Sequence, residues 1–288
     1  MPVVVHTIAG LRTVIAEQRA DAASASRDGT VALVPTMGAL HPGHFALVAR
    51  AREVADIVVV SIFVNPLQFT IADDLERYPR SLKADVAALE PLGVAAIFAP
   101  AASEMYPRGP VATRVTAGDL GMRFEGRTRR GHFDGVLTVV SKLLNITRPD
   151  CVVFGEKDAQ QVFLVRRMID DLDIPVTVHS VDTVRDPDGL ALSSRNRFLD
   201  PAERRAALAL SRALDAAESS ADRGTDAAIA AAQSVISGDE IVQLDYLSLV
   251  DPTTFQPVTD GYRGKALVLV AAQVGDTRLI DNRKIYLG

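Results

Sequence analysis

Residues 31–44 read Val31-Ala32-Leu33-Val34-Pro35-Thr36-Met37-Gly38-Ala39-Leu40-His41-Pro42-Gly43-His44. The run 31–34 has the texture of a parallel strand buried on both faces. Gly and Pro punctuation follows. Over 44–54, Phe45, Val48 and Ala49 then share one helical face. A buried strand, a tight turn and an amphipathic helix form the opening of a βαβ unit. The pattern recurs outward from there. Stretches 57–64, 94–98, 151–154 and 176–181 read as strands; 82–92, 136–146 and 160–172 have helical spacing. The expected fold class is α/β: a Rossmann-like, doubly wound parallel sheet with right-handed crossovers placing helices on both faces.

Near residue 184 the texture changes. Arg185-Asp186-Pro187-Asp188-Gly189 is turn chemistry. Pro201 opens an Ala-rich helix expected to reach about residue 220. A second helix is expected over 225–236, and strands over 243–250, 266–272 and 278–281. The expected organisation is a Rossmann-like domain over 1–184 and a smaller α+β domain over 185–288. The length of 288 residues suits two domains of about 150.

Composition narrows the function classes. Hydrophobic residues make up 48% and charged residues 23%, which excludes a disordered chain. One cysteine excludes an intramolecular disulfide and a Cys-rich zinc site, and suits a reducing cytoplasm. The longest apolar run, 57–64, is far too short to span a bilayer. The first residues lack a basic stretch followed by an apolar one, so no secretory signal and no membrane role are expected. A net charge of −5, no Trp and 5% aromatics argue against a nucleic-acid partner. They leave room for a small anion in a local basic pocket.

Ligands on such sheets bind at the carboxyl ends of strands, so chemistry is expected just after each one. After the first, Gly38 and Gly43 allow close backbone approach, and Pro42 suits a first helical turn. The start of the helix then offers N–H groups and a positive dipole end to a phosphate. His41 and His44 can both donate to phosphate oxygens. A zinc reading of the pair lacks a third ligand at a familiar spacing. After the second strand, Asn65-Pro66 turns the chain out of the sheet. Gln68 then offers a donor and an acceptor to a substrate hydroxyl and carboxylate. After 151–154, Gly155 permits a tight exit and Lys157 is a compact cation for phosphates. Asp158 suits a ribose or a helix start, and Gln161 lies one turn from Lys157. Beyond the boundary, Ser193, Ser194 and Arg195 offer two hydroxyls and a guanidinium to a triphosphate. The basic run 125–135 suits gathering anions. Each stretch taken alone also has a plain reading as a turn, an N-cap or a solvated charged loop. Cys151, inside an apolar run, reads as a small buried hydrophobe. Ser193-Ser194 lacks the G-x-S-x-G context of a hydrolase elbow.

Together these stretches resemble the pantothenate synthetase (pantoate–β-alanine ligase) family. The matching strings are PTMGALHPGH (35–44), SIFVNPLQF (61–69), YPRSLKAD (78–85), GHFDGV (131–136), GEKDAQQ (155–161), TVRDPDGLALSSRNRFL (183–199) and LIDN (279–282). HPGH looks like the HIGH-type motif of nucleotidylyltransferases and class I aminoacyl-tRNA synthetases, and LSSRN stands where their KMSKS-type loop does. The resemblance implies an enzyme that condenses pantoate with β-alanine at the expense of ATP, through a pantoyl adenylate. It implies a catalytic set of His44, His41, Lys157 and Arg195, with His44 as proton donor. It implies that ATP meets Met37, Gly38, Ala39, Leu40, His41, Pro42, Gly43 and His44. Gly155, Glu156, Lys157, Asp158, Val184, Leu192, Ser193, Ser194 and Arg195 complete that set. Pantoate would meet Gln68, Gln161, Asn65 and Tyr78, and β-alanine would meet Gln68. Mg²⁺ would accompany ATP, held mostly by phosphates and water, with Asp85 as its protein ligand. The family is usually homodimeric. Three positions depart from its pattern: Leu192 replaces a methionine, Ala84 an acidic residue and Arg130 a proline. The alternatives are a nucleotidylyltransferase sharing the histidine motif and a non-catalytic nucleotide-binding protein.

Overall fold

A computed structural model describes residues 1–69, 75–76, 78–109 and 111–288. They divide into two compact units, one of residues 1–156 with 160–182, the other of 157–159 with 183–288. The second unit thus begins just before the expected boundary and also takes in Lys157. The Asn282 Nδ2 donates to the Lys157 carbonyl at 2.9 Å, which ties this short stretch to it.

The first unit contains a six-stranded parallel sheet: β1 (Val3–Val5), β2 (Val31–Thr36), β3 (Ile57–Ile62), β4 (Ala96–Phe98), β5 (Cys151–Gly155) and β6 (Thr177–Val181). The spatial order is β1-β4-β3-β2-β5-β6. Its helices include α1 (Ile8–Ser24), α2 (Pro42–Val54), α3 (Leu82–Leu89), α4 (Ala102–Met105), α5 (Glu125–Thr128), α6 (His132–Thr147) and α7 (Ala159–Asp171). Strand alternation sorts the apolar side chains. Val31, Leu33 and Val59 join Leu11 of α1, Val136 of α6 and Val165 of α7 in one core. Ala32, Val34, Val58 and Val60 join Leu47 and Val48 of α2 and Leu89 of α3 in another. Both faces are covered, as the apolar runs of β2 and β3 require. Strand order reverses at β2, which lies between β3 and β5. The loops after β2 and β5 therefore flank a topological switch point, where open α/β sheets bind ligands.

Several elements end where backbone chemistry dictates. β3 stops at Ile62, three residues before Asn65-Pro66. Helix α3 stops at Leu89 rather than 92, because Pro91 shifts the chain into a 3₁₀ turn that exits through left-handed Gly93. β1 and α1 escape the sequence reading; three valines and a weakly patterned helix give little periodic signal.

The second unit has helices α8 (Pro201–Ser219) and α9 (Thr225–Ile236) and an antiparallel sheet of β7 (Val242–Val250), β8 (Gly264–Val274) and β9 (Thr277–Leu287). Asp200 caps α8, accepting from the Ala202 and Glu203 backbone. Ala206, Leu210, Ala213 and Leu214 of α8 pack in one core with Val268, Val270 and Ala272 of β8. β9 runs well past the expected 278–281. Its polar Asn282, Arg283 and Lys284 hide the strand pattern, yet the ladder to β8 holds register from Thr277 to Leu287.

Candidate active site

The loop between β2 and α2 is built around a buried carboxylate. Gly38 (φ +84°) and Ala39 (φ +51°) bend it through left-handed backbone. A side chain on Gly38 would place its Cβ 3.0 Å from both Asp85 Oδ2 and Ile62 Cγ2, so only glycine fits there. Asp85, on α3 and 3% exposed, accepts from Ala39 N at 3.0 Å and Leu40 N at 2.9 Å. The Ser81 hydroxyl donates to the same carboxylate at 3.3 Å. Thr36 Oγ1 accepts from Gly38 N at 3.2 Å and donates to the Ser61 carbonyl at 2.8 Å. Removing the carboxylate would leave two inward backbone donors without their acceptor. Asp85→Ala is expected to cost about 2 kcal/mol of stability in denaturant unfolding, the scale of hydrogen bonds to a charged group. It should also weaken nucleotide binding measured by calorimetry.

Helix α2 begins with Pro42 at its first turn and His41 as N-cap. The His41 N–H donates to His44 Nδ1 at 3.3 Å, and the two rings lie 4.0 Å apart, tilted by 46°. With Nδ1 accepting, a neutral His44 carries its proton on Nε2. The ring is thereby set to donate from that atom.

The turn after β3 is a 3₁₀ turn, Pro66–Gln68, capped by the Asn65 side chain. Asn65 is 1% exposed. It is a wall of this site rather than an open contact. The Gln68 Nε2 donates to Met37 Sδ at 2.8 Å, linking this turn to the β2–α2 loop. Helix α6 presses directly on it. A Cβ on Gly135 would come within 2.2 Å of the Leu67 carbonyl oxygen. His132 Nδ1 donates to the Gln68 carbonyl at 2.8 Å, and its Nε2 lies 3.1 Å from Arg129 Nη1. The basic run thus contributes His132 and Gly135 as props for Gln68. Tyr78 packs edge-on against Phe69 with centroids 5.9 Å apart.

At the end of β5, the Ser180 hydroxyl donates to Glu156 at 2.9 Å. Lys157 is half-buried and Asp158 exposed. Gln161 is half-buried; its neighbour Gln160, passed over in the sequence, is 4% exposed. Gln160 donates to the Leu120 and Arg123 carbonyls at 2.8 and 2.9 Å and accepts from Glu125 N at 3.2 Å. It fastens the chain ahead of α6. Burial, with Asp150 adding to it against the pull of Arg50, pushes the Cys151 thiol up to about 11. It is no nucleophile.

In the second unit, Leu192 N donates to the Val184 carbonyl at 2.9 Å, closing the 184–192 turn. Arg185 makes a bidentate pair with Asp281, at 2.6 and 2.9 Å. Arg204 grips Asp186 at 2.7 Å and Asp188 at 2.8 Å in the same turn. Ser193 Oγ accepts from Arg195 N at 3.2 Å, and Asn196 Nδ2 donates to the Ala191 carbonyl at 3.0 Å. Ser193, Ser194 and Arg195 are half-buried. The LIDN string holds two loops from one strand: Asp281 holds Arg185, and Asn282 holds Lys157.

The sequence profile of the pantoate–β-alanine ligase family matches residues 3–284. The chain belongs to that family. A pantothenate synthetase of Leifsonia xyli is 58% identical over 96% of this chain and 94% of its own. One from Thermobifida fusca is 53% identical over 90% of each chain. The crystal structure of pantothenate synthetase from Thermus thermophilus superposes with a TM-score of 0.90 at 44% identity, covering 99% of both chains. A pantoate–β-alanine ligase from Francisella tularensis, described as complexed with β,γ ATP and β-alanine, gives 0.78 at 31% identity, covering 98% of this chain and 97% of its own. This chain is accordingly an enzyme, an acid–amine ligase of the pantoate–β-alanine ligase type.

Asp85, expected as a magnesium ligand, has both oxygens engaged by the β2–α2 loop. Among the described residues no three His, Cys, Asp or Glu gather as a metal site. No helix among the described residues is long and apolar enough to cross a membrane.

Proposed function

We propose that this ligase works in two steps. The pantoate carboxylate attacks the α-phosphorus of ATP, the bond to the bridging oxygen breaks, and pyrophosphate leaves. The β-alanine amine then attacks the acyl carbon of pantoyl adenylate, loses a proton, and expels AMP to give pantothenate. The first step brings a carboxylate to a phosphoryl centre of like charge. It calls for fixed donors and cations more than for a strong base. The observation that carries this reading is the β2–α2 loop. Asp85 fixes its backbone, and His41 N fixes the His44 ring through Nδ1, which puts the proton of the neutral ring on Nε2. His41 and His44 stabilise the leaving phosphates; Lys157, Ser193, Ser194 and Arg195 bind the triphosphate. Gln68 and Gln161 hold pantoate, with Gln68 also meeting β-alanine. No covalent enzyme intermediate is needed, in keeping with the inert Cys151. We place the enzyme in the cytoplasm as a homodimer, following the single reduced thiol and the family's habit.

The test is an assay of purified protein with MgATP and pantoate, with and without β-alanine, following pyrophosphate and AMP separately. One equivalent of pyrophosphate without the amine, then AMP turnover on adding it, is the expected result. Pyrophosphate release with no AMP on adding β-alanine would favour a nucleotidylyltransferase. Nucleotide binding without pyrophosphate would favour a non-catalytic binder.

A further inference from the structure

We propose that Tyr106 is a positioning residue for pantoate recognition, acting through Asn65 to fix which end of the Gln68 amide meets the substrate. The Tyr106 hydroxyl, just past α4, donates to Asn65 Oδ1 at 2.7 Å. Leu67 N donates to the same oxygen at 3.3 Å. With two donors on Oδ1, the amide nitrogen of Asn65 must face the other way. There it donates to Gln68 Oε1 at 3.2 Å and to the Gly135 carbonyl at 3.1 Å. An Asn side chain has two acceptor and two donor positions, and here all four are used. Asn65 has nothing left to offer a ligand and serves as a relay.

The consequence falls on Gln68. Its oxygen is taken by Asn65, so its nitrogen points to Met37 Sδ, a weak acceptor. A carboxylate or hydroxyl oxygen is a stronger acceptor and would displace the thioether. The chain Tyr106–Asn65–Gln68 thereby makes Gln68 a donor toward the substrate. Inverting either amide would present an oxygen and repel a carboxylate. The Tyr106 ring is itself held, tilted by 58° against Phe63 at 6.1 Å, with the Lys142 ammonium 5.8 Å from its centroid. Burial pushes the phenol up to about 12, so it keeps its proton and its donor role throughout the neutral range. Without the hydroxyl, Asn65 Oδ1 would keep only the longer bond from Leu67 N among the described residues, and the Gly135 carbonyl would remain on its nitrogen; the inverted arrangement of the two amides would gain population.

The proposal rests on the reading of Gln68 as a pantoate contact, and the test separates the two. Pyrophosphate release would be measured for Tyr106→Phe, Gln68→Ala and the double variant, with KM for pantoate and for ATP taken separately. Tyr106→Phe should raise the pantoate KM about tenfold, the scale of one lost hydrogen bond, and leave the ATP KM within about twofold. In the Gln68→Ala background the same substitution should change nothing further, because the two act as one unit. An unchanged pantoate KM in Tyr106→Phe, an equal rise in both KM values, or a full second loss in the double variant would each overturn the relay. If Gln68→Ala itself left the pantoate KM unchanged, the assignment of Gln68 would fail first and the relay with it.

Discussion

His44→Ala and Lys157→Ala are each expected to slow pyrophosphate release from ATP and pantoate by about a hundredfold or more in single-turnover assays. That is the cost of losing one preorganised contact to developing charge, about 3 kcal/mol of barrier. The geometry makes His44 the sharper case. Its ring is oriented by the His41 N–H, so the donor is in place before substrate arrives and needs no reorganisation. Truncation removes that donor and leaves the Asp85 contacts of the loop intact. The fold should therefore survive, with circular dichroism unchanged. His44→Gln, which keeps an amide donor, should recover part of the rate. Near-normal rates in both alanine variants would sink the assignment of the site.

The largest effect on stability is expected from Asp281→Ala. The Asp281 side chain is 3% exposed and that of Arg185 23%. Removing the carboxylate leaves a guanidinium largely out of water with no bidentate partner, and also strips the Asn282 N–H of its acceptor at 2.8 Å. Breaking one side of a buried pair costs about 3–5 kcal/mol. Because Arg185 keeps its bond to the Gly189 carbonyl and some water, about 3 kcal/mol is expected, read as a lowered urea midpoint at unchanged slope. Asp281→Asn, which keeps the shape and one acceptor, should lose less. A variant as stable as the parent would show that the 184–192 turn stands without Asp281, on Arg204 and its own backbone bonds.

The parallel sheet was legible because β2, β3 and β5 are short apolar runs interleaved with amphipathic helices, a pattern that depends on local residues alone. The same holds for His41 and His44, which sit at fixed offsets from Gly38 and Pro42. What stayed hidden is long-range. Asp85 lies 46 residues from Ala39, and nothing near it in sequence says that its carboxylate faces a loop. Tyr106 is 41 residues from Asn65. Gln160 outranks Gln161 in burial because helix phase, not residue type, decides which of two neighbours turns inward. The basic run 125–135 misleads for a related reason: His132 and Gly135 face the Pro66–Gln68 turn, so the props sit among charges that read as solvated.

The β8–β9 hairpin turns through Gly275 and Asp276, both exposed. A short surface turn of this kind is ordinarily where a tag or a new chain terminus is tolerated. Here it is a poor choice. The ladder runs without a break from this turn to Leu287, and Asp281 and Asn282 are consecutive, so their side chains leave β9 on opposite faces. An added residue that slid β9 by one place would exchange those faces, withdrawing the carboxylate from Arg185 and the amide from Lys157 together. A one-residue insertion at this turn should therefore cost activity by loosening both loops at once.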